Sequence, residues 1–251
     1  MIFVDEQNFS QSCERLKRFG NCNALLGFFG YWLQNKLNWK KYNPRFIRTY
    51  VYTGEFTPML SKKIENTINN LKSNSQIIAV KDALKEKNLD KIKELFKDIK
   101  ENVLKDSLKL YRLEEEIYPK VLRKREIQQK FFDKSKFFDF FVLETKPLKF
   151  DGNSRIYQKG VDVQLAVDFV SHAYKDNFDM AILCSGDYDL LESVKTVKSL
   201  GKKVLLFSHH GLAAKEMIRN ADYYIRMDRL TPEELNKFSH IFENRNQTRT
   251  S

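Results

Sequence analysis

Four aspartates at strand-exit or helix-entry points are the residues of this chain best placed to do chemistry: Asp5, Asp162, Asp187 and Asp189. Asp5 ends the run Met1-Ile2-Phe3-Val4, and Asp187 and Asp189 follow Met180-Ala181-Ile182-Leu183-Cys184 across Ser185-Gly186. Asp162 opens an amphipathic segment. In an open α/β sheet, ligands bind beyond the carboxyl ends of the strands. Carboxylates delivered there from separate segments gather into one acidic pocket. Such a pocket repels itself unless a cation fills it, and an all-oxygen site suits Mg²⁺ or Mn²⁺. Taken singly, each aspartate has an ordinary explanation as a helix cap, a first-turn acid or a turn residue. The joint placement is what points to a metal site.

Weaker candidates stand beside these four. Asn8, three residues past Asp5, either orients a ligand or water or caps the first helix. Lys159, just before Gly160, is a candidate phosphate contact, although a solvated lysine is the commoner outcome. Ser185 is a candidate ligand hydrogen bond in what is also an ordinary strand-end turn. Tyr188 could stack on an unpaired base or pack in the fold. Asp168 lies six positions after Asp162 and at helical spacing points elsewhere. His209 and His210 read as an exposed loop. A phosphatase of the haloacid-dehalogenase type needs an aspartate two residues after its strand-one nucleophile, and Gln7 stands there.

The chain around these acids is basic. It has 251 residues, 42% of them apolar and 13% aromatic, with 44 Lys/Arg against 33 Asp/Glu, a net charge of +11. That surplus favours a polyanionic partner. Cys13, Cys22 and Cys184 are an odd number of thiols without a CxxC pair, which predicts a reducing, cytoplasmic setting and no zinc knuckle. The first residues read as a strand, not a signal peptide. The longest apolar stretch, Ala24–Leu33, is too short to span a bilayer.

Strands and helices alternate as in a parallel sheet with right-handed crossovers. The patterning predicts strands over 1–5, 45–53 (after Pro44 and closed by Gly54), 137–143, 179–184, 203–207 and 223–227. It predicts helices over 8–19, 23–37, 161–174, 188–200 and 213–220. Gly201 suits the residue after a helix end, and Thr231-Pro232-Glu233-Glu234 reads as a helix start. Residues 61–136 break the rhythm: no strand pattern, helical spacing at Ile92, Phe96, Ile99 and Val103, and 20 Lys/Arg against 13 Asp/Glu. This segment reads as a basic helical insertion, either a solvated cover or an arm for phosphates. The tail from Asn244 reads as frayed.

In order along the chain, Ile2-Phe3-Val4-Asp5 with Asn8, Tyr50-Val51-Tyr52, Lys159-Gly160-Val161-Asp162-Val163-Gln164-Leu165-Ala166, Ser185-Gly186-Asp187-Tyr188-Asp189 and Ala221-Asp222-Tyr223-Tyr224-Ile225 resemble the NYN domain, in the LabA-like branch of the PIN-like nucleases. The resemblance covers about 1–55 and 137–228. It departs from the family pattern after the second aspartate of the Ser185–Asp189 segment, where Leu190 and Glu192 stand in place of an aromatic residue and a proline. It implies a Rossmann-like α/β/α sandwich with a central, mainly parallel sheet, here over 1–230 and interrupted by the 61–136 insertion, with a C-terminal helix and tail over 231–251. It further implies a Mg²⁺- or Mn²⁺-dependent endonuclease acting mostly on RNA, with Asp5, Asp162, Asp187 and Asp189 as the acidic metal site and Asn8 beside it. The alternatives are a catalytically idle RNA-binding or scaffold module assembling as a homo-oligomer through the insertion, and a nuclease directed at DNA.

Overall fold

Ile2–Asp5 (β1) is fully buried, as a strand covered on both faces must be. It pairs in parallel with Thr49–Glu55 (β3) on one side and with Met180–Cys184 (β7) on the other. Lys203–Ser208 (β8) and Tyr223–Arg226 (β9) extend the parallel run, and Phe141–Pro147 (β4) lies beyond β3, giving the sheet order β4-β3-β1-β7-β8-β9. These are features of a computed structural model that describes residues 1–36, 45–86 and 100–241. Pro44 and the helical pattern at Ile92, Phe96 and Ile99 lie outside the described residues.

Alternation along the strands divides the core between two faces. Ile2, Val4, Val51, Ile182, Cys184, Leu205 and Phe207 pack with Phe9 and Cys13 of Glu6–Arg15 (α1) and with Phe28, Phe29 and Leu33 of Leu25–Lys36 (α2). Phe3, Tyr52, Ala181, Leu183, Val204 and Leu206 pack on the other face. Their partners there come from Val161–Tyr174 (α7), Leu191–Ser199 (α8) and Lys215–Asn220 (α9). The result is an α/β/α sandwich, the architecture expected from the alternating pattern.

The chain divides into two compact units, one of Met1–Thr53, Ser135–Thr145 and Gly160–Ser251, the other of Gly54–Lys134 and Lys146–Lys159. The second is built from Pro58–Lys72 (α3), Ser75–Glu86 (α4), Glu101–Tyr111 (α5), a π-helical turn Arg112–Ile117, Tyr118–Ser135 (α6) and the small hairpin Lys149–Phe150 (β5) with Ile156–Tyr157 (β6). Leu60, Ile64, Ile77, Leu110, Leu113 and Phe150 form its own core. Two carboxylates of the π turn are paired inside this unit: Glu114 with Lys72 and with Lys81, and Glu115 with Lys85.

Three elements differ from expectation. The first helix ends at Arg15, not Phe19, because Lys17 takes a left-handed conformation (φ 56°) and the chain turns. Arg18–Gly20 (β2) then pairs antiparallel with Ser239–Ile241 (β10), and the buried Arg18 Nε donates to Ser239 Oγ at 2.7 Å. Gly20 is needed there: a Cβ would meet Phe9 at 2.6 Å and Cys13 Sγ at 2.8 Å. The strand predicted at 137–143 begins at Phe141. Phe140 is left-handed (φ 54°), and Phe137 and Phe140 are exposed in the turn before it. Gly54 does not close β3 but sits inside it, where a Cβ would strike Leu148 Cδ2 at 2.4 Å. The helix start at Thr231 forms as read, with a full capping box on Pro232–Asn236 (α10).

Candidate active site

Pairing of β1 with β7 sets the geometry. Val4 lies opposite Cys184 in register, so the next residues, Asp5 and Ser185, leave the sheet side by side at its carboxyl edge. Ser185 is fully buried. Its hydroxyl donates to Asp5 Oδ2 at 2.9 Å and accepts the Asp187 N–H at 3.2 Å, tying the two aspartates to one atom. Asp5 also caps α1, its Oδ1 accepting the Asn8 N–H at 3.1 Å. Asp187 caps the 3₁₀ turn Tyr188–Leu190, its Oδ1 accepting the Asp189 N–H at 3.1 Å.

Asn8 does not cap the helix. Its Oδ1 accepts the Gly186 N–H at 3.1 Å and faces the Ser208 hydroxyl at 3.4 Å, so it staples α1 to the loops that follow β7 and β8. Gly186 is pressed against the β8–α9 loop. A Cβ there would lie 2.5 Å from Ala213 Cα and 2.8 Å from the Leu212 carbonyl oxygen. Asp162 enters in the first turn of α7, after Gly160 at φ 82°, and caps nothing. Asp189 and Tyr188 are exposed. Lys159 is exposed in the segment between β6 and α7. Asp168 turns away, as its spacing implies, and accepts from Tyr52 Oη at 3.2 Å and Gln164 Nε2 at 2.9 Å.

Electrostatics couple the acids. Asp5 is only 3% exposed. Burial, and after it the charges of Asp162 and Asp187, push its carboxyl up to about 6 against the lowering effect of the Asn8 and Ser185 hydrogen bonds. Asp162 is likewise raised, first by desolvation and then by Asp187 and Asp189. Among the described residues no cation offsets either. The carboxylates are thus close enough to oppose one another's ionisation. Yet among the described residues no three His, Cys, Asp or Glu side chains stand ready-gathered around a metal position. A cavity of about 140 Å³ lies at the other edge of the sheet, lined by Met180, Lys203, Asp222 and Tyr223 at the amino ends of β7, β8 and β9, away from the acids. One participant left no signal in the sequence: Ser208 reaches Asn8 only because β8 neighbours β7.

Among the described residues no helix is long and apolar enough to cross a membrane. No curated protein matches the chain. A crystal structure of a protein of unknown function from Vibrio parahaemolyticus is similar over 95% of this chain and 94% of that one, at 15% identity and a TM-score of 0.46. The family model of the NYN domain matches residues 86–228, a span that contains Asp162, Asp187 and Asp189, while Asp5 and Asn8 join them through the pairing of β1 with β7. With more than half of its length matched, the chain belongs to the NYN domain family, a group of PIN-like, nuclease-type domains.

Proposed function

We propose that this protein is a metal-dependent endoribonuclease that hydrolyses phosphodiester bonds at the carboxyl edge of its sheet. One observation carries the reading: a buried carboxylate, Asp5, is raised first by burial and then by two neighbouring aspartates, with no cationic partner among the described residues to relieve it. An uncompensated cluster of this kind costs stability and persists where function requires it. The donor set is all oxygen and fits Mg²⁺ or Mn²⁺. Asp5 and Asp187, with Asp162 or Asp189, would hold the ion. When bound, it would supply charge stabilisation at the phosphodiester and a water of lowered pKa.

The protein's own groups divide the remaining work. Ser185, with its hydroxyl engaged between Asp5 and the Asp187 amide, positions the two aspartates. Asn8 holds Gly186, and so fixes where Asp187 leaves the sheet. The exposed ring of Tyr188 offers a stacking surface for an unpaired base, and Lys159 an exposed cation for a phosphate. The test is cleavage of labelled single-stranded RNA with and without Mn²⁺. Wild type should cut only with the ion, and Asp187→Asn should not cut. Unchanged cleavage by Asp187→Asn refutes the assignment.

The absence of a ready-gathered trio of ligands among the described residues favours a second reading, an idle RNA-binding module of the same fold. Thermal melting against Mn²⁺ concentration separates the two, since an ion bound only by the folded state raises the melting temperature. No response at millimolar Mn²⁺ supports the idle module.

A further inference from the structure

Helix α1 carries the carboxyl-edge geometry beyond the acidic cluster. From its cap at Asp5, it presents Asn8, Ser12 and Arg15 at positions separated by four and three residues, hence on one face. Each meets a successive part of the same edge. Asn8 accepts from Gly186 after β7 and faces Ser208 at the end of β8. The buried Ser12 hydroxyl accepts the His209 N–H at 3.3 Å. Arg15 lies against Gly211, where an added Cβ would meet its Nη1 at 2.8 Å and the His209 ring at 3.4 Å. The missing side chain of Gly211 therefore lets the Arg15 guanidinium and the His209 ring close in over its backbone.

Neither Arg15 nor the His209 ring hydrogen-bonds a carboxylate among the described residues. Arg15 is exposed and forms no ion pair among the described residues. The His209 ring uses Nδ1 to accept the Gly211 N–H at 3.0 Å, which leaves the proton on Nε2 of the neutral ring. Burial, ahead of the nearby charges, holds His209 below its usual pKa, so the neutral form prevails. Asp228, whose charge acts on His209, is already occupied by Arg226 and by the His210 N–H at 3.1 Å.

We infer that Arg15, exposed beside His209 where both pack over Gly211, forms with it an anion subsite that holds a backbone phosphate of a nucleic-acid strand flanking the acidic cluster. Asn8 and Arg15 are seven residues apart on one helix, about 10 Å along its axis. A strand positioned at Asp5 and Asp187 reaches Arg15 within a few nucleotides. The guanidinium suits a phosphate oxygen, and the contact carries no base information. The inference deepens the proposed function and rests on its placement of substrate at this edge.

The test reads binding, not cleavage. Fluorescence anisotropy of the full chain in EDTA is followed with labelled oligouridylate and oligodeoxythymidylate of about twelve nucleotides, inside the ~4–16-nucleotide footprint of single-strand binders. Arg15→Gln should weaken binding about fivefold at low salt. It should also lower the slope of log K against log salt by about 0.7, the loss of one phosphate contact on a single strand. Arg15→Lys keeps the charge and should keep the slope. A slope loss with either strand supports the subsite. An unchanged slope in Arg15→Gln with both strands, or no binding by wild type, overturns it. Because no cleavage is read, a failure of the nuclease assay leaves this result standing by itself, and the reverse holds.

Discussion

Replacing Asp5 by asparagine should stabilise the ion-free protein while abolishing its response to divalent cations. The carboxyl ionises at 3.8 in an ordinary setting and at about 6 here, chiefly because burial removes its water. A rise of that size corresponds to about 3 kcal/mol of cost to the folded, ionised form. Over the window between those values the native chain binds more protons than the unfolded one, so stability falls as pH rises from 3.8 to about 6 and stays low above it. Asparagine is nearly isosteric. Its carbonyl can still accept the Asn8 N–H, and its amide can donate to Ser185 Oγ. Removing the charge also relieves Asp162, whose own carboxyl is raised. Thermal melts of both proteins in EDTA should therefore differ little below about pH 4 and diverge to about 3 kcal/mol above pH 6, roughly 5–10 °C in melting temperature for a chain of this size. Taking the difference between the two proteins cancels every group that titrates alike in both. With Mn²⁺ at pH 7.5, wild type should recover most of the gap and Asp5→Asn should not move. A pH-independent difference, or a variant less stable than wild type at pH 7.5 in EDTA, refutes the reasoning.

Three further substitutions probe the same architecture. Gly186→Ala drives a Cβ to 2.5 Å from Ala213 Cα, backbone that cannot swing aside, and should cost about 1–3 kcal/mol together with cleavage; an unshifted melting curve would show that the β8–α9 loop yields freely. Asn8→Ala leaves the buried Gly186 N–H without its acceptor, so a loss of about 1–3 kcal/mol should appear in denaturant titrations. Tyr52→Phe removes the bond to Asp168 and should lower stability by about 1 kcal/mol without changing cleavage; a loss of activity would bring Asp168 into the site.

What the sequence could and could not disclose follows from the range of the forces involved. β1 and β7 were legible because strands buried on both faces become unbroken apolar runs, and the aspartates after them because residue type is visible without a fold. β2 and β10 were not. Three-residue strands carry no periodicity, and their pairing joins residues more than two hundred positions apart. The turn at Phe140 was hidden in the same way, since an aromatic run has the composition of a strand whether or not the chain is extended. The staples at the site, Asn8 to Gly186 and Ser208, depend on the order β1-β7-β8, a long-range fact. The geometry also resolves the tension between capping and clustering that the sequence left open. Asp187 spends Oδ1 on the cap of the turn after it, and Oδ2 makes no hydrogen bond among the described residues. Asp5 spends Oδ1 on the cap of α1, while Oδ2 takes the Ser185 hydroxyl and retains a lone pair. Capping thus engages one oxygen of each carboxylate and leaves acceptor capacity on the other, so the local rule that makes aspartate a good cap is compatible with a place in an acidic cluster.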